Sequence, residues 1–159
     1  NDCSVNQSIA HHSVVFRPSA LKMWVSTSPW QGGAYICYDL GAVMRDPDPA
    51  GELCDAAQEI AADTAYLAHD YPRVVVYRRL GGEIRKAMRE ETAADAATLD
   101  RFERTNPQNF HTWKLLGEYY RSHGDDVRAA QCFDKALQSG IPRADEREAV
   151  ERLKSECKP

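Results

Sequence analysis

Apolar residues change their spacing after residue 44, and with it the kind of element they predict. Up to that point they fall in short runs rich in β-branched and aromatic residues: Ile9 to Phe16, Leu21 to Ser26 and Ala34 to Tyr38. Runs of this length and composition are strand formers. Arg17-Pro18-Ser19-Ala20 separates the first two as a hairpin connection with Pro18 in the turn, and Pro29 with Gly32-Gly33 separates the second from the third. The order predicts a three-stranded antiparallel meander. Val14 and Phe16 point one way and Val15 the other, while Leu21, Met23 and Val25 oppose Trp24, so both faces read as apolar. A sheet covered on both faces needs a layer on each side, and residues 1–44 cannot supply them. Either the helical remainder covers one face and leaves the other partly exposed, or the strands belong to a larger sheet whose other strands lie outside this chain. The layer rule favours the larger sheet.

Asp46-Pro47-Asp48-Pro49-Ala50-Gly51 is a breaker-rich linker. Beyond it Leu53, Ala56, Ile60 and Ala61 keep helical spacing. Residues 65–82 are ambiguous: Val74-Val75-Val76-Tyr77 favours a strand but is not bounded by turn pairs, and Gly81-Gly82 ends the stretch. From Glu83 to Arg104 the chain is rich in Ala, Glu and Arg and predicts one helix, stopped by Asn106-Pro107. A last helix is expected from Ala144 to Cys157, with Asp145 and Glu146 near its positive end and a thin apolar stripe of Ala149, Val150 and Leu153.

Between these lies the most specific pattern in the chain. Trp113, Leu116 and Tyr120 stand at i, i+3 and i+7, on one face of a helix, and Ala129, Phe133, Ala136 and Leu137 do the same on a second. Gly117 and Ala129 are small where two helices must approach, and Gly124 suits a left-handed helix end. Asn106-Pro107, Trp113-x2-Leu116-Gly117-x2-Tyr120, Ala129-x3-Phe133 and Pro142 together have the order and spacing of one tetratricopeptide unit. The motif specifies a helical hairpin and no chemistry. A single unit cannot bury its own apolar face, so further structure must cover it. The organisation expected is a β segment over 1–44, a helical connection over 45–105 and a tetratricopeptide-like hairpin with a capping helix over 106–159, an α+β fold.

An apolar fraction of 43% is enough for a core, and 28% charged residues give a solvated surface. Arg17 and Lys22 balance Asp2 and Asp39, so the net charge of −4 lies wholly in residues 45–159. That balance argues against a nucleic-acid partner, which calls for a basic face. No apolar run reaches the roughly 18 residues of a membrane span, and no signal peptide is visible. The opening Asn1-Asp2-Cys3, without an initiator Met, reads as a mature or excised piece of a longer protein. Cys3, Cys37, Cys54, Cys132 and Cys157 are odd in number and scattered, which argues against a disulfide scaffold and leaves the compartment open.

His11-His12-Ser13-Val14-Val15-Phe16-x-Pro18, followed by Met23-Trp24-Val25-Ser26-Thr27-Ser28-Pro29-Trp30-Gln31, resembles the C-terminal strands of the acyl-coenzyme A:isopenicillin N acyltransferase-like family. These are N-terminal-nucleophile hydrolases that cut linear amide bonds and are distantly similar to bile-salt hydrolases. The strand Tyr35–Tyr38 with Asp39-Leu40, then Asp70-Tyr71 and the final helical hairpin, also look like the family's strand and helical tail. The resemblance implies a four-layer αββα fold and a nucleophilic cysteine freed by self-cleavage as the first residue of a chain, its own α-amino group serving as base. Here Cys3 is preceded by two residues, and Cys3-Ser4-Val5-Asn6 does not look like the nucleophile segment. The family's nucleophile and its supporting Arg, Asp and Asn precede strands like these, so no catalytic residue carries over to any position. The resemblance implies the back end of an enzyme.

Other candidate chemistry reads as structure. His11-His12 with Cys3 matches no zinc spacing, and adjacent strand residues point to opposite faces. His12-Ser13 fails as a catalytic pair for the same reason and lacks an orienting carboxylate. Trp24 and Trp30 could line an acyl pocket but read first as core. Glu90-Glu91 is a solvated helix face, and Gly81-Gly82 lacks the companions of a phosphate loop. No catalytic residue, metal ligand or cofactor is assigned. Two readings stand: the non-catalytic C-terminal part of an amide hydrolase or acyltransferase, or a free-standing helical-repeat interaction module. The expected partners are the upstream part of the same protein or a second copy through the β edges at Val14, Phe16, Met23 and Val25, and a protein or peptide on the helical tail.

Overall fold

A computed structural model describes residues 12–46 and 53–158, and at Trp30 the backbone alone. The fold is α+β, with one three-stranded antiparallel sheet and six α-helices. The chain divides into two compact units, one ending at Pro72 and the other running from Arg73 to Pro159. The linker at 47–51, His11 and Cys3 lie outside the described residues.

In the first unit β1 (Val14–Arg17), β2 (Lys22–Ser26) and β3 (Tyr35–Asp39) follow one another in the order of the chain. Pro18 starts a single 3-10 turn over Pro18–Ala20, and Leu21 closes it in the left-handed region at φ 49°. The register pairs Val14 with Val25, Val15 with Trp24 and Phe16 with Met23, then Trp24 with Cys37 and Lys22 with Asp39. Helix α1 (Leu40–Arg45) starts directly from β3, its first turn capped by the Asp39 carboxylate, which accepts from the Ala42 amide at 2.9 Å.

The helix expected around Leu53 to Ala61 does not form. This stretch is extended, apart from one 3-10 turn at Ala56–Gln58, and lies along the outer edge of β3. Tyr35 and Ile60 exchange backbone bonds at 2.9 and 3.1 Å, Asp39 donates to the Leu53 carbonyl at 3.1 Å, and Asp55 donates to that of Cys37 at 2.8 Å. Unpaired edge amides are costly, and satisfying them outweighs a weak helical spacing.

The ambiguous stretch is helical: a wide π-type turn at Tyr66–Asp70, at the end of the first unit, leads into α2 (Tyr71–Arg89), most of which belongs to the second. Val76 and Tyr77 pack on the core, and the Tyr77 ring stacks on Phe102 at 4.6 Å. Burial on a helix face overrides their β preference. The single helix expected over 83–104 is broken. α2 stops at Arg89, Glu91 turns the chain at φ 52°, and α3 (Ala96–Thr105) begins again. The break brings Phe102 back against Gly81 and Tyr77; in one continuous helix Phe102 and Gly81 would stand about 30 Å apart.

α4 (Phe110–Ser122) and α5 (Asp126–Gln138) form the hairpin, and α6 (Ala144–Ser155) packs on α5. Asn109 and Asp125 cap α4 and α5, accepting from the amides of His111 and Arg128. Gly124 makes the turn at φ 77°. Trp113, Leu116, Ala129 and Phe133 are buried, whereas Tyr120 and Leu137 are half-buried. Phe102, Phe110, Ile84 and Val150 complete a core drawn from all five helices of this unit.

Candidate functional site

The register sorts the sheet into two unlike faces. Val14, Phe16, Met23, Val25, Ile36 and Tyr38 share one. Every one is apolar or aromatic, and not one is buried; Val14 is 40% and Phe16 59% exposed. The opposite face carries Val15, Arg17, Lys22, Trp24, Ser26, Tyr35, Cys37 and Asp39, so it is mixed rather than apolar. Two apolar faces were expected because Val15 and Trp24 were weighed without their cross-strand neighbours. Among the described residues β2 is the only strand beside β1, and none pairs with the outer edge of β1. Val15, at 47% exposure, adds a third exposed side chain to this edge strand.

The mixed face is held by a charged clamp with no forerunner in the sequence reading. Lys22 Nζ donates to Asp39 Oδ2 and Asp55 Oδ2, each at 3.0 Å, and Gln58 Nε2 donates to Asp55 Oδ2 at 2.7 Å. The Asp55 and Asp39 carboxylates hold the Lys22 ammonium above its ordinary value. The Ala42 amide, and next Lys22, hold Asp39 low; Lys22 does the same to Asp55. All three groups therefore stay charged over a wide pH range, which suits a tether and not a proton-transfer group poised near neutrality. With Trp24 Nε1 donating to the Gln58 carbonyl at 2.7 Å, the clamp pins residues 53–58 across β2 and β3. The one signal for it in the sequence was a lysine set within an apolar strand.

The residues weighed as chemistry are placed separately. His12 is exposed, and the Ser13 hydroxyl accepts from the Tyr35 phenol at 3.1 Å. Glu90 and Glu91 are exposed at the end of α2, and Gly81-Gly82 lies inside that helix, not in a loop. Burial pushes the thiols of Cys37 and Cys157 up and that of Cys132 to about 11, away from the thiolate a nucleophile needs. Among the described residues no three His, Cys, Asp or Glu side chains gather as metal ligands, and no helix is long and apolar enough to cross a membrane.

The feature left without an internal role is the apolar sheet face with its open edge. No family model, curated protein or solved structure matches the chain.

Proposed function

We propose that this chain is the C-terminal, non-catalytic part of an N-terminal-nucleophile amide hydrolase or acyltransferase. Its strands complete a larger sheet, and its helices form a tetratricopeptide-like tail. The observation that supports this reading is the six-residue apolar face of the sheet, with Val14 and Phe16 exposed and the other four only half-buried, beside a β1 edge that has no partner among the described residues. Exposed apolar sheet faces and free edges recruit further structure, and on β1 Arg17 alone is charged. In this reading the upstream part of the same protein supplies the adjoining strand, the layer over Val14, Phe16, Met23 and Val25, and the nucleophile.

A second reading, a free-standing helical-repeat interaction module, draws on the helical unit. Its hairpin closes on itself, with the Phe133 ring set directly against Gly117. An activity assay separates the two. The purified 159-residue chain is expected to hydrolyse no acylated amine, whereas the protein produced with its upstream part is expected to do so. Turnover by the 159-residue chain, abolished by Cys3→Ala, would sink the first reading. Inactivity of the upstream-containing protein on a panel of linear amides would favour the second.

A further inference from the structure

Helix α2 carries six basic residues against one acidic, in a chain whose net charge is −4. Their placement is not even. At about 100° per residue, Val75, Arg78, Arg79, Arg85, Lys86 and Arg89 fall within about 60° either side of Gly82. All are exposed, while Leu80, Ile84 and Ala87, on the opposite side, are buried in the core. The acidic residues near this stripe, Glu83 and Glu90, lie on one flank. Those two form long contacts, Glu83 with Arg79 at 3.8 Å and Glu90 with Lys86 at 3.9 Å, and Arg78 has a contact of its own within the chain. At the centre a Cβ on Gly82 would meet nothing within 4 Å, so the stripe is open over its middle turn. From Arg78 to Arg89 it runs about 16 Å.

We propose that this stripe docks an acidic polypeptide segment, one rich in Asp and Glu, lying along α2. Five cations of one sign on a rigid helix set up a local positive potential that steers and holds an anionic partner. The arc holds a single aromatic, the half-buried Tyr71 in its first turn, and no second ring follows along it to stack successive bases, which sets a nucleic acid aside. Its one apolar member, Val75, offers too little to enter a lipid surface. Extended carboxylate-bearing chain fits what remains, with the forked Arg guanidinium groups as bidentate acceptors' partners. The surface belongs to the helical unit and does not depend on the sheet's role.

The test uses the 159-residue chain and a fluorescein-labelled 15-residue peptide of Asp, Glu and Ala, read by anisotropy. A 15-nucleotide single-stranded RNA and phosphatidylglycerol–phosphatidylcholine vesicles serve as rivals. The peptide is expected to bind more tightly than either, and the combined variant R78E/R85E/R89E to lose about tenfold or more in affinity. R78K/R85K/R89K is expected to keep most of the binding. Gly82→Glu, which sets a carboxylate in open space at the centre of the arc, gives a second reversal that leaves the core untouched and is also expected to weaken binding. Absence of peptide binding, binding unchanged by both reversals, or tighter binding of RNA or vesicles would overturn the proposal.

Discussion

Two glycines show how far a single Cβ depends on its surroundings. At Gly117 an added Cβ would lie 2.5 Å from Cε1 of the fully buried Phe133 ring. Gly117→Ala is therefore expected to destabilise by about 1–3 kcal/mol in urea unfolding, the range for overpacking. At Gly82 the same change meets nothing and is expected to stabilise by about 0.5–1 kcal/mol, the helical advantage of alanine. Equal effects at the two sites would contradict the packing described. Trp113 is 7% exposed, donates from Nε1 to the Pro107 carbonyl at 2.8 Å and lies under Lys135 Nζ at 4.0 Å. Trp113→Ala is expected to cost about 3–5 kcal/mol by the same measurement.

The Lys22 clamp fixes a pH window at the same scale. Asp39 and Asp55 are held below their ordinary 3.8, so their contribution is present above that value and is lost as pH falls through their lower folded values. Lys22 is held above its ordinary 10.5, so its contribution is present below that value and fades as pH rises through the higher folded one. Exchange of the Asp55 amide, bonded to the Cys37 carbonyl, is expected to stay slow relative to its intrinsic rate between these limits and to quicken in acid. In Lys22→Met that acid step should disappear. Its persistence would show that the clamp does not hold this segment.

Among the elements, those legible in the sequence are the ones whose own face decides their structure. α4, α5 and α6 repeat apolar residues at helical spacing and bury that stripe against one another, so periodicity and outcome agree. The three strands and both connections are equally local, with Pro18 and Pro29 at the turns. The elements misread are those ruled by distant partners. Residues 53–60 are drawn straight by the amides of β3. Val74 to Tyr77 turn helical because Phe102 and Thr112 receive Tyr77, the phenol lying 2.9 Å from the Thr112 hydroxyl. The break after Arg89 leaves no mark in a stretch rich in helix formers, because Glu91 takes a left-handed conformation that the sequence does not advertise. The candidate surface was half legible: Val14, Phe16, Met23 and Val25 were singled out, but that they share one face with Ile36 and Tyr38, against a polar opposite face, required the register.

At the scale of the whole molecule, the two units differ in self-sufficiency. Among the described residues the helical core draws on residues 76 to 157, and it buries Phe102, Phe110, Phe133 and Val150 nearly completely. A fragment spanning 73–159 is expected to show helical circular dichroism and a cooperative thermal transition, and a gradual, non-cooperative loss would contradict that independence. The sheet has no such closure, since its most apolar face contains no buried residue. That contrast is the ground for proposing a larger sheet rather than an independent module.

The most direct test is to recover the protein from its native source with an antibody against the helical unit. The masses of the polypeptides held together and their N-terminal sequences are then read. The account predicts a larger assembly in which this chain is joined to upstream sequence from the same gene, beginning at a cysteine and protecting the outward-facing β1 amides from exchange. A free 159-residue monomer, with the outward-facing β1 amides exchanging at the unprotected rate, would contradict it.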